Sequence, residues 1–412
     1  MMILGRSTYL RQARSFSRNA RLFLLSQVVA GLGSGIFGVL FNLYLVRLGH
    51  HEDFIGQVAG LSTLLTGLVA FPAGLLADRI GRRSSLVVGA TIVPLAFLLQ
   101  VLLDDPQAIL ILGMVGGAGV AFIMISMSPF MAENSSQGER AYLFSANFAL
   151  ITLSAMVGSF LGGWLPGVCA GLVGQTLDTP LPYRLALLVG VALFGISAIP
   201  FYLLRNERRQ NALEEVALPD VSMEDADVRK RMLAFAVVNV LVGIGGGLIL
   251  PFFNVFFLTR FNQPAETVGV IFGVSQALVG VSTLLSPALV RRMDKVTLIA
   301  GGHFAVLPFL LVLAMTNNVW IATAAYWGRN VGINMINPIW GAFSMEMVPA
   351  RLRATLSGMN NTAWNITWAM SSTAGGSLIL SLGYSKVFLM AAFFYALAGA
   401  MWLLGFRRYR RM

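Results

Sequence analysis

The sequence predicts an all-α membrane protein of twelve transmembrane helices in two pseudo-symmetric six-helix bundles. Three observations carry that prediction. Apolar residues make up 57% of the chain and charged residues only 11%, against roughly 25% charged in a soluble domain. A soluble fold of this size could not bury so much apolar surface, so the solvent is lipid. The apolar residues also fall in runs of about 20, the length that crosses a bilayer, and the second half of the chain repeats the first.

The elements follow in order. Residues 1–21 form a basic segment with Arg6, Arg11, Arg14, Arg18 and Arg21, expected at the cytoplasmic membrane surface. The apolar run behind it is longer than the core of a secretory leader, so a retained first helix is expected. Spans are placed near 22–46, 54–77, 84–103, 107–131, 141–165 and 183–204, then 232–258, 266–290, 296–315, 318–344, 354–380 and 386–406. A polar stretch, 205–231, reads as a cytoplasmic linker between bundles 22–204 and 232–406, and 407–412 as a basic cytoplasmic tail.

Charge orients the spans. With both termini inside, the outer segments hold only Arg47, Arg184, Arg260 and Lys386, while the remaining Lys and Arg of the loops and tails, apart from one inside a span, fall on the inner side. The net charge of +11 therefore marks membrane topology and not nucleic-acid binding. One cysteine, Cys169, excludes an internal disulfide, and His50, His51 and His303 form no metal constellation with it.

The repeat is specific. At an offset of 212, Gly31, Gly33, Gly35, Phe41 and Asn42 meet Gly243, Gly245, Gly247, Phe253 and Asn254. At 213, Gly56, Gly60 and Gly89 meet Gly269, Gly273 and Gly302, and Glu133, Arg140, Asn147, Gly162 and Gly163 meet Glu346, Arg353, Asn360, Gly375 and Gly376. The glycine clusters lie inside apolar spans with no preceding strand, which excludes phosphate loops and favours close helix contact or helix flexibility.

Between spans 2 and 3 the chain reads Gly74-Leu-Leu-Ala77-Asp78-Arg79-Ile-Gly81-Arg82-Arg83. Gly81 allows a tight turn, Gly74 a close helix approach, and Asp78 a cap or an ion pair. The competing reading is a charge cluster that only sets topology. The segment resembles the signature loop of the major facilitator superfamily, and the six-plus-six repeat extends the resemblance along nearly the whole chain. The resemblance implies that superfamily's fold and alternating access about a central site. It also implies a cytoplasmic gate of Gly74, Asp78, Arg79, Gly81, Arg82 and Arg83, joined by Glu133, Arg140, Glu346 and Arg353, two Glu-x6-Arg pairs whose spacing the family uses for gate ion pairs. The counterpart loop Arg291-Arg292-Met293-Asp294-Lys295 is degenerate. Two features of proton-coupled drug antiporters are absent: an Arg in span 4, and a Pro in the Gly158-Ser159 segment of span 5.

Arg329, mid-way along span 10, is the one ionisable residue at the centre of a span, and no Asp or Glu lies at that depth. Intramembrane charge is costly and usually functional. A substrate ligand competes here with a structural residue pinned by carbonyls, Asn side chains or Glu346. Candidate companions are Asn330 and Asn334 on the same span, Gln27 and Asn42 on span 1, and Asn254 on span 7. Asn361, Trp364, Asn365 and Trp368 line one helical stripe of span 11. For each Asn, ordinary interhelical hydrogen bonding competes with substrate contact. His303 reads as a packing residue before a proton carrier.

The expected activity is secondary active transport of a small molecule, with efflux favoured. An uptake permease for an organic anion or sugar-like solute is the alternative, and a non-transporting membrane sensor is the alternative of another class. An enzyme is not expected, since no nucleophile, acid–base pair or metal cluster shares one depth. No cofactor is expected. The partners are the substrate, the lipid bilayer and a proton or other coupling ion, and the chain is expected to act as a monomer. Short outer loops without glycosylation sequons fit a bacterial plasma membrane.

Overall fold

A computed structural model describes residues 16–205 and 226–409. Most of the basic segment 1–21 and of the linker 205–231 therefore lies outside the described residues. Thirteen α-helices run through the rest: α1 Arg18–Arg47, α2 Glu52–Ile80, α3 Arg82–Leu102, α4 Pro106–Glu133, α5 Gln137–Val173, α6 Pro180–Tyr202, α7 Ala226–Gly247, α8 Phe253–Phe261, α9 Ala265–Val290, α10 Lys295–Met315, α11 Val319–Glu346, α12 Arg353–Leu382 and α13 Tyr384–Phe406. No strand occurs among the described residues.

The helices α7 and α8 together make the seventh span, so the twelve spans account for all thirteen helices. The chain breaks there into a short 3-10 turn at Leu250–Phe252, where Pro251 removes a backbone donor just after Gly245-Gly246-Gly247. The first turn of α7 also occupies 226–231, which the sequence reading gave to the linker. Ten spans are long and apolar enough to cross a membrane on composition alone. The exceptions, α11 and α12, carry Arg329 and most of the central asparagines, so their polarity and not their length sets them apart.

Local chemistry explains the ends. Asp105 caps α4, accepting from Ala108 N at 2.7 Å, with Pro106 at the first helical position. Ser136 and Glu139 form a capping box on α5, Asp294 accepts from Thr297 N on α10, and Asn318 caps α11. Gly81 takes φ +89°, a value that only glycine adopts without strain, so α3 can restart one residue after α2.

The described residues form two compact units. Of these, the first takes in 16–49, 64–205 and 264–276, and the second 50–63, 226–263 and 277–409. Each thus takes a segment of α2 or α9 from across the sequence midpoint.

In the first unit α1 packs on α5 and α6, and α3 on α4 and α6. The second unit repeats this with α7 on α12 and α13, and α10 on α11 and α13. The glycine clusters make the contacts close. A side chain at Gly35 would meet the Ala155 carbonyl, and one at Gly158 the Leu32 carbonyl. In the second unit one at Gly243 would meet Thr367 Oγ1, and one at Gly247 would lie 2.5 Å from the Trp368 carbonyl. Close helix contact is therefore what these glycines supply. Matching aromatic clusters fill the two interiors: Phe23 and Phe130 lie 5.5 Å apart, and their repeat partners Phe235 and Phe343 6.3 Å apart.

Candidate functional site

A crevice of about 330 Å³ opens inside the first unit between α1, α3, α4 and α6. Its floor follows from spacing. Ser26, Ala30, Ser34 and Gly38 recur every fourth residue on α1, a stripe of small side chains that leaves a groove. Its walls are aromatic. The Phe37 and Phe97 rings stack at 4.4 Å, and Phe194 stands edge-on to Phe97 at 5.6 Å. Val93, Pro94, Val120 and Ile123 complete an apolar lining. The side chain of Gln27 is the largest polar group on it, only 4% exposed, and makes no hydrogen bond among the described residues. An apolar cleft with a few convergent polar groups is the usual form of a small-molecule site.

The first unit thus holds Gln27 in the crevice, with Asn42 one helical turn beyond Gly38. Phe37, Phe97 and Phe194 were not singled out in the sequence, because phenylalanine is common throughout an apolar chain. The small-residue stripe at i, i+4 spacing is a signal the sequence holds, but the sequence-based expectations do not draw on it.

The other candidates lie in the second unit. Arg329 is 2% exposed. Its Nη1 donates to Asn330 Oδ1 at 3.0 Å, its Nη2 donates to the Tyr395 hydroxyl on α13, and the guanidinium lies 5.4 Å from the Tyr395 ring centre. Glu346 is not its partner, since it pairs with Lys295 at 2.6 Å. Tyr395 gives no sequence signal, because a tyrosine in a last apolar span carries no spacing that ties it to span 10.

Along α11, Asn334 Nδ2 donates to the Asn330 carbonyl at 2.9 Å. Asn254 is buried and accepts from Val255 N. On α12 the predicted stripe is real. Asn365 Nδ2 donates to Asn361 at 2.8 Å, and Trp364 and Trp368 stack at 5.9 Å. His303 is buried, with Nδ1 2.8 Å from the Ile299 carbonyl.

The charged loops repeat in geometry where they differ in sequence. In the first unit Arg82 pairs with Asp78 and approaches Glu133 at 3.9 Å. In the second, Lys295, the repeat partner of Arg82, pairs with Glu346. Arg140 and Arg353 do not bond the Glu of their own motif. Each donates to the carbonyl just before it, on Ala132 at 3.1 Å and Met345 at 2.9 Å. Arg83 donates to the Tyr202 carbonyl and Arg79 is exposed. Gly74 is a correction: a side chain there would meet open space, so it permits no close helix approach in this structure.

The sequence model of the Major Facilitator Superfamily matches residues 23–372. The uncharacterized MFS-type transporter YxaM of Bacillus subtilis is 22% identical, over 90% of this chain and 92% of its own. Multidrug resistance protein 2 of Bacillus subtilis is 23% identical, over 90% and 91%. Among solved structures, a bacterial homolog of the human lysosomal transporter Spinster, in its inward-facing and occupied form, superposes with a TM-score of 0.77. It covers 94% of this chain and 96% of its own at 13% identity, a likeness of fold.

Proposed function

Because the chain belongs to the Major Facilitator Superfamily, and so is a multi-pass secondary transporter, we propose that it exports apolar, aromatic small molecules from the cytoplasm. The observation that carries this reading is the crevice between α1, α3, α4 and α6. Four phenylalanine rings, Phe37, Phe97, Phe194 and Phe201, offer apolar contact, and the buried Gln27 amide offers a hydrogen-bonding anchor beside a few small serine hydroxyls. A volume of about 330 Å³ is at the low end for drug-sized ligands. The similarity to a multidrug resistance protein supports export. The lining has no charged group to select organic anions, and its few polar side chains, Gln27 and three serines, are too sparse for a sugar's hydroxyls.

The inner side of a bacterial plasma membrane is assigned to the basic loops and both termini, on the positive-inside distribution. The pairs Arg82–Asp78 and Lys295–Glu346, with Glu133, Arg140 and Arg353 beside them, serve as the cytoplasmic gate in this reading. The coupling ion is a proton, carried by those peripheral carboxylates, and the unit of transport is the monomer. No enzymatic step is assigned.

The test is dye transport in proteoliposomes under an imposed proton gradient, using a lipophilic fluorescent dye. Wild-type protein should move the dye, and Phe97→Ala and Gln27→Leu should each lower the rate about tenfold or more while folding normally. Dye binding without movement would turn the reading towards a sensor. Unchanged transport by both variants would move the substrate site out of the crevice.

A further inference from the structure

The second unit buries a positive charge with nothing negative beside it. Among the described residues no carboxylate lies within ion-pair distance of Arg329. Its two contacts, Asn330 Oδ1 and the Tyr395 hydroxyl, are neutral. A guanidinium carries five N–H donors and no acceptor, and its Nε is fully buried without a partner. Buried donors are almost always satisfied, and each exception calls for an explanation.

A second orphan sits close by. The indole Nε1 of Trp368, on α12, is likewise buried and unpartnered. Gly246 on α7 ties the two together. From the position its side chain would take, the Tyr395 hydroxyl is 3.6 Å away and Trp368 Cδ1, bonded to that Nε1, is 3.7 Å away. So the tyrosine that holds Arg329 and the edge of Trp368 that carries its N–H flank one spot on the α7 backbone. The glycine adds no side chain of its own there, and Leu250 Cδ1, 3.4 Å from the same position, forms the third, apolar side. An unpartnered indole N–H and, through Tyr395, a full positive charge thus lie next to this spot in a low-dielectric interior, where an uncompensated charge is most costly.

We infer that the second unit contains an anion-binding site beside Gly246, in which Arg329 supplies the charge, Trp368 Nε1–H a directed donor, and Tyr395 holds the guanidinium in place. The ligand is a small monovalent anion: an inorganic halide or the carboxylate of an organic solute. The site is separate from the crevice of the first unit and does not depend on the export reading.

The test uses purified full-length protein in detergent, with sodium gluconate replaced stepwise by sodium chloride, or by sodium acetate, at constant ionic strength. The readouts are the unfolding midpoint and tryptophan fluorescence. Wild type should show a saturable rise in midpoint with at least one of the two anions. Trp368→Phe keeps the ring and loses the N–H, and should weaken half-saturation about tenfold, the worth of one hydrogen bond to a charged group. Arg329→Gln should abolish the response; if it does not fold, Trp368→Phe carries the test alone. Saturation by chloride identifies a resident inorganic ion, and saturation by acetate alone a carboxylate solute; either supports the site. A response that never saturates, or one equally strong in Trp368→Phe, overturns it. Dye transport through the crevice rests on Phe97 and Gln27, so its failure would be seen in those variants and not in these.

Discussion

Two kinds of charged contact behave differently at the scale of single residues. Arg329 is buried, and its bond to Tyr395 is shielded from bulk solvent. Tyr395→Phe keeps the ring and strands a charged donor. It should cost about 1–3 kcal/mol, seen as a lower unfolding midpoint in detergent. Glu346 is more than half exposed at its side chain, and exposed ion pairs contribute at most about 1 kcal/mol. Glu346→Gln should therefore leave the unfolding midpoint nearly unchanged, and a large drop would show that the Lys295 pair is a structural clamp. The sequence made Arg329 conspicuous by rarity alone. It could not identify Tyr395, because residues that meet from separate helices, here α11 and α13, share no sequence spacing. The same limit hid the Phe37, Phe97 and Phe194 walls, while the stripe Asn361, Trp364, Asn365 and Trp368 was legible because all four lie on one helix.

At the scale of helices, the repeated glycines set how near α1 and α7 come to their partners. Gly35 sits where any side chain would run into the Ala155 carbonyl, with Ser159 N 2.6 Å away. Backbone cannot give way as a flexible side chain would, so Gly35→Val must push α1 off α5. The cost should be about 1–3 kcal/mol from overpacking, read as a lowered unfolding midpoint and reduced yield of folded protein. Gly167→Ala, later on α5 and with open space around it, is the control and should be neutral or stabilising by up to about 1 kcal/mol. An equal loss in both would mean that the α1–α5 contact does not decide the effect, since helix propensity favours both substitutions. Gly74 shows why the motif alone was insufficient here. Its place in the signature loop invites a packing role, yet the α2 backbone has no neighbour there to approach.

The whole molecule is a doubled six-helix design, and its orientation rests on charge. The positive-inside distribution assigns the outer side to the segments that hold only four basic residues, against the many Arg and Lys elsewhere in loops and tails. A fluorescent protein fused after Met412 should therefore be fluorescent in bacterial cells, and alkaline phosphatase fused there inactive; the opposite pair of results would invert the assignment. The sequence by itself determined the class, the twelve spans, the internal repeat and the family resemblance. These depend on hydropathy, period and motif, which are properties of neighbouring residues along the chain. Tertiary structure decided the rest: the break between α7 and α8, the pairing of Lys295 with Glu346, the seat of Arg329 against Tyr395, and the crevice around Gln27. Each of these depends on which side chains from separate helices meet in space, and helix–helix contact in a lipid-solvated chain is set by local shape and hydrogen bonding, which apolar composition leaves open.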